Sequence, residues 1–218
     1  MTQLSSSTAA LAGIPAGLQS QGVWAGRRQL FVRFAAEAET ATMYTADALA
    51  AEVRRATSRS SFHSLSITGR DPLANVEYLC SAFEKAACPL PVMLDCDGQR
   101  PDEIAGLRGV VTLMQVTLDG SSVGAQDDRA VDSIRVAAGA GMQHALVLTV
   151  DERTSDSNML RLVERAHATS DGTMVVIHPG TATPVDRDRR WTILFERAAG
   201  LHGDVRLVLK LPPPTGMR

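Results

Sequence analysis

Apolar and polar positions along this chain follow two alternating rhythms. Short apolar runs rich in Val, Ile and Leu read as strands at 29–34, 64–68, 91–95, 112–118, 145–150, 173–178 and 205–210. Between them apolar residues recur every three or four positions, which predicts helices over 45–58, 73–87, 128–138, 157–167 and 189–199. Leu73, Val76, Leu79, Cys80 and Phe83 make one such stripe, and Trp191, Leu194, Phe195 and Ala198 another. Strands alternating with helices predict an α/β fold with a parallel sheet and right-handed crossovers. The Ala/Gly run at 137–141 reads as a helix terminus, stopped by glycine.

With 218 residues, 44% of them hydrophobic, the chain is long enough for one substantial core. A formal net charge of −2 argues against a nucleic-acid surface. No apolar run approaches the roughly 20 residues needed to span a bilayer. Residues 1–17 are small and polar and lack the pattern of a signal peptide, so they are expected to form a disordered leader to a domain at 18–218. A cytoplasmic location follows as an expectation. Cys80, Cys88 and Cys96 match no zinc or cluster spacing and are expected to be structural.

Chemistry gathers just past the strand ends. Thr68-Gly69-Arg70-Asp71, Asp95, Asp97, Asp119, Asp151 and His178 all stand there. In parallel α/β sheets ligands bind at the carboxyl ends of the strands. A ring of Asp residues there suits Mg²⁺ or sugar hydroxyls, whereas singly each suits capping of the next turn or helix. The five histidines lack the i, i+4 pairing of a zinc helix; His178 alone is placed at the mouth, where acid–base work and a backbone-bonded role are both open to it. No P-loop, G-x-S-x-G or G-x-G-x-x-G sequence occurs.

The order of five segments resembles the radical S-adenosylmethionine superfamily, closest to the 7-carboxy-7-deazaguanine synthase family. LQSQGVWAGRRQLFVRF is similar to its opening S-x-Q-G-E-G-x3-G and F-V-R pattern, and SITGRDPL to its T-G-G-E-P-L. LDCDGQRP resembles E-T-N-G, VTLMQVTLDGSS the V-S-x-D-x-K segment, and DVRLVLKLPPPTGMR the terminal strand and tail. The resemblance implies an incomplete (β/α)6 TIM-like barrel, with Gly69, Asp71, Asp95 and Asp119 toward a cofactor and Arg33 toward a substrate, and the strand-end position of His178 sets it toward the substrate as well. It also implies a dimer, either of two copies or with an intact homologue.

The departures fall on functional positions. With Arg33 aligned to the family arginine, the three cluster cysteines are replaced by Glu37, Ala41 and Tyr44, none of which supplies the thiolate that holds a [4Fe–4S] cluster. The Glu-Gly after Gln21-Gly22 is missing, the second motif reads Arg70-Asp71, and Gly120-Ser121 follow Asp119 without the family lysine. The tail carries Lys210, Pro212 and Pro213 where Gln, His and Lys are expected. The sequence therefore predicts a protein without an iron–sulfur cluster, binding S-adenosylmethionine weakly, and acting as a binding or regulatory pseudoenzyme. The rival reading is an enzyme with polar chemistry that uses Mg²⁺ or the S-adenosylmethionine cleft on a small molecule such as a pterin or deazapurine.

Overall fold

The computed structural model describes residues 8–180 and 188–209. Ten strands form one sheet: β1 (Thr8–Gly13), β2 (Ala16–Leu18), β3 (Arg28–Phe34), β4 (Thr42–Thr45), β5 (Ser64–Gly69), β6 (Val92–Cys96), β7 (Leu113–Asp119), β8 (Gln143–Val150), β9 (Met174–Pro179) and β10 (Val205–Leu207). The helices are α1 (Ala46–Arg59), α2 (Val76–Ala86), α3 (Pro101–Ile104), α4 (Asp127–Gly139), α5 (Asp156–Thr169) and α6 (Arg189–Leu201). The sheet order is β10-β9-β8-β7-β6-β5-β3-β1-β4, with β2 paired to β3. From β3 to β10 every neighbouring pair is parallel, whereas β1, β2 and β4 are added antiparallel. The architecture is α/β around a mostly parallel sheet, and no helix among the described residues is long and apolar enough to cross a membrane.

Parallel strands laid side by side in chain order, with crossovers of one hand, send every helix to the same face. The helices form a continuous layer there: α1 packs on α2, α3 on α4, α4 on α5 and α5 on α6. Strand residues alternate accordingly. Leu65, Ile67, Leu94, Val116, Leu146, Leu148, Val175 and Ile177 meet the helices in the main core. Their neighbours Gln29, Ser64, Ser66, Met93, Asp95, Leu113, Gln115, Thr117, Thr149 and His178 occupy the opposite face. Of the polar residues among these, Gln29, Ser64, Gln115 and His178 are fully buried.

A second, small apolar cluster sits on that opposite face. Met93, Leu113 and Ala145 pack under Val23 and Trp24 from the loop between β2 and β3. This loop, residues 19–27, lies across the sheet rather than out in solvent.

Three expectations need correction. Within the leader predicted at 1–17, Thr8–Gly13 form β1 and Ala16–Leu18 form β2: Ala9 and Leu11 are buried, and β1 pairs with both β3 and β4. The helix predicted at 73–87 begins as a 3-10 turn, Pro72–Asn75, because Pro72 fits the first turn of a helix; α2 proper starts at Val76. The last strand ends at Leu207, and Lys210, Pro212 and Pro213 lie outside the described residues. The other predicted elements stand within two residues of their expected bounds.

Candidate functional site

A cleft of about 450 Å³ opens at the carboxyl ends of β5, β6 and β7, lined by Thr68, Gly69, Arg70, Asp71, Pro72, Asp95, Cys96, Asp97, Gln99 and Thr117. Three of the six residues proposed from sequence, Gly69, Asp71 and Asp95, line it. Arg33, Asp119 and His178 do not, so the expected single mouth divides.

Gly69 has a steric reason to be glycine. Its φ is +98°, and a Cβ there would stand 2.1 Å from the Phe34 carbonyl oxygen. Chain crossing over the end of β3, not ligand approach, accounts for it. Asp71 follows in the left-handed region, φ 44°, which Asp tolerates better than most residues. Its carboxylate does not stand ready for a ligand ammonium: both oxygens accept from Arg100 Nε, at 2.8 and 2.9 Å. The same bridge raises the Arg100 pKa through the hydrogen bond and charge of Asp71. Arg70 turns away from Asp71 to Glu37 (3.1 Å), and Arg33 pairs with Glu39 (2.8 Å). Two guanidinium–carboxylate bridges thus involve residues of the cleft lining, and Arg33–Glu39 forms a third outside it.

Asp95 sits at the floor of the cleft at the end of a directed chain of hydrogen bonds. The Val23 N–H donates to Gln115 Oε1 (3.1 Å), Gln115 Nε2 donates to Thr117 Oγ1 (3.3 Å), and the Thr117 hydroxyl donates to Asp95 Oδ1 (2.6 Å). Each donor points along the chain toward the carboxylate. Gly22 is required beneath this chain: at φ +83° its Cβ would lie 2.0 Å from Gln115 Oε1.

His178 is a buried strut. Its Nε2 accepts from the Gly22 N–H (2.7 Å), so the neutral ring carries its proton on Nδ1, which donates to the Val208 carbonyl (2.6 Å). The ring ties loop 19–27 to the residue that follows β10, and the structure favours the backbone-bonded reading over open acid–base work. Asp119 caps its own turn: Ser121 Oγ (2.7 Å) and the Ser122 N–H (2.9 Å) donate to it, and the Ser121 and Ser122 hydrogen bonds hold its carboxyl below the ordinary value. Asp151 likewise accepts from Thr154 and Arg153, which lowers its pKa, and Asp97 accepts from Gln99. Among the described residues no group of three or more His, Cys, Asp or Glu side chains stands where it could hold a metal ion.

The positions aligned with the first and last cluster cysteines are both engaged elsewhere. Glu37 is on the exposed loop with Arg70, and Tyr44 is fixed in β4 opposite Ala9. A strand crosses the region where the resemblance implies a ligand loop. The real cysteines lie elsewhere: burial pushes all three thiols up, that of Cys96 to about 12, and the Cys80 thiol donates to the Gly106 carbonyl. No protein-family model matches the chain, and no curated protein matches it in sequence.

Sequence reading missed Gln115, Thr117, Gly22 and Arg100. A signal for the first two was present: in MQVTLD the polar Gln115, Thr117 and Asp119 alternate with apolar neighbours, the mark of a strand with one polar face. Arg100 stands on the turn before Pro101, and nothing local ties it to Asp71.

Proposed function

We propose that this chain is a ligand-binding protein on a partial (β/α)6 barrel of the radical S-adenosylmethionine type, resembling 7-carboxy-7-deazaguanine synthase, that works without an iron–sulfur cluster. The observation that carries this reading is the ionic rim. Where a cluster and its open iron would anchor an amino acid, the cleft lining is tied up in ion pairs, Arg70 with Glu37 and Asp71 with Arg100, and Arg33 at the end of β3 is paired with Glu39. Glu37, Ala41 and Tyr44 do not fit a cluster, whose irons take Cys thiolates. The ligand then meets Thr68, Asp95 and Thr117 at the cleft floor. Such a floor takes a molecule that donates hydrogen bonds, either an amine or a polyol. Pairing with a second copy or with an intact homologue would make it a regulator.

The test is anaerobic reconstitution with iron and sulfide, followed by calorimetry with S-adenosylmethionine. The expected protein is colourless and iron-free, with affinity in the high-micromolar range or weaker, where ~1 mM corresponds to about −4 kcal/mol. Asp95→Asn weakens it further and Asp71→Ala changes it little, because Asp71 is already paired. Roughly four irons per chain with absorbance near about 400 nm would refute the reading. Sub-micromolar binding that survives Asp95→Asn would place the ligand elsewhere.

The Val23–Gln115–Thr117–Asp95 chain favours a second reading, polar catalysis with Asp95 as a base. Turnover of a bound amine or polyol that is lost in Asp95→Asn with binding retained would establish it.

A further inference from the structure

At the opposite end of the sheet from the cleft, two imidazoles face each other between α5 and α6. His167 Nδ1 and His202 Nδ1 are 3.0 Å apart, with ring planes at 64°. His202 Nε2 points at the Thr173 carbonyl, which only accepts, so Nε2 carries the proton and Nδ1 presents a lone pair. This is the outer hydrogen bond that orients a metal-binding histidine. His167 Nδ1–H donates to that lone pair in the metal-free state.

We propose that His167 and His202 form a two-histidine site for a borderline transition-metal ion such as Zn²⁺ or Cu²⁺, independent of the cleft and of the function assigned to it. Imidazole nitrogens suit these ions. Two nitrogens bound to one tetrahedral Zn²⁺ at 2.0–2.1 Å are about 3.3 Å apart, so the pair opens by about 0.3 Å and the exposed His167 ring turns until both Nδ1 lone pairs converge on the ion. A second, independent feature favours a cation here. His167 lies in the last turn of α5, and His202 is the C-cap of α6, so the negative ends of two helix dipoles meet at the pair. On binding, the ion takes the place of the His167 proton, beside the line that joins the two Nδ1 atoms. The His167 proton passes through solvent to its own Nε2, which has no partner among the described residues, and neither ring changes charge. His167 is exposed and gives the ion its way in, whereas His202, 2% exposed, anchors the site. No third acidic, thiol or imidazole ligand joins them among the described residues, so water completes the shell and the metal exchanges readily.

Calorimetric titration of the untagged full chain with Zn²⁺ at neutral pH tests this, alongside thermal melting and the electron paramagnetic resonance of added Cu²⁺. The expected result is one Zn²⁺ per chain, a raised Tm, and a Cu²⁺ spectrum with two nitrogen ligands. His167→Ala, an exposed change that leaves the fold intact, should weaken binding at least about tenfold. It should also abolish the Tm rise and leave one nitrogen on Cu²⁺. His63→Ala should change nothing. Absence of uptake, or uptake and nitrogen count unchanged in His167→Ala, would overturn the proposal, and that variant alone suffices if His202→Gln does not fold.

Discussion

Gly22 and Gly69 both sit at positive φ, and both leave no room for a methyl group, but the obstacles differ. An added Cβ at Gly22 meets the end of the Gln115 side chain, whereas at Gly69 it meets the Phe34 backbone. A side chain can rotate away and a strand cannot. Gly22→Ala should therefore destabilise by about 1–3 kcal/mol, partly relieved in combination with Gln115→Ala. Gly69→Ala should cost more, with no relief from any neighbouring truncation. Denaturant unfolding of the two series, read as a double-mutant cycle, checks both. Asp119 gives a pH effect of known sign. Its folded pKa is depressed by the Ser121 and Ser122 hydrogen bonds, so its contribution is present above the unfolded value, near the usual 3.8, and is lost as pH falls through the lower folded value. Asp119→Asn should flatten stability against pH only in that acid window, as measured by unfolding between neutral pH and strongly acid pH.

Among the elements, β1 departs furthest from what the sequence suggests. TAALAG carries a short alternation of small residues with one large one, too weak a pattern to separate from a polar tail. Its order comes from tertiary context: Leu11 is wholly buried and pairs with Phe34, and β4 closes over the outer edge. Leu11→Ala should cost about 2–5 kcal/mol in denaturant unfolding, where a disordered leader would show no change. The main strands were legible because Val, Ile and Leu runs of their length have few alternatives, and the helices because their stripes bury one face. The site was legible only in part. Asp95 announces itself by position, whereas the partners that disarm Asp71 and His178 arrive from residues far along the chain. Arg190 marks another such long-range tie. From the first turn of α6 it binds Asp156 and the Thr154 and Asp151 carbonyls, and it stacks on Trp191. Arg190→Ala should lower stability by about 1–3 kcal/mol and raise hydrogen exchange in the β8–α5 loop.

On the scale of the molecule, the polar face of the sheet is closed on one side and open on the other. Val23 and Trp24 cover the lower part, and the cleft lies above. The rim bridges are exposed, so salt should change global stability little. Added NaCl should shift the urea midpoint by less than Leu11→Ala does.

The strand order also bears on how the chain acquires its shape during synthesis. From β5 to β10 each new strand docks beside the parallel strand made before it, β4 alone having turned back to β1, so each strand of the parallel run finds its partner already made. A ribosome releasing this chain exposes one unfinished edge at a time, and that edge moves steadily toward the C-terminus. Chains stalled early should already hold a compact β3–β5–β6 unit that resists protease, whereas a circularly permuted chain beginning at β7 should fold more slowly and aggregate more.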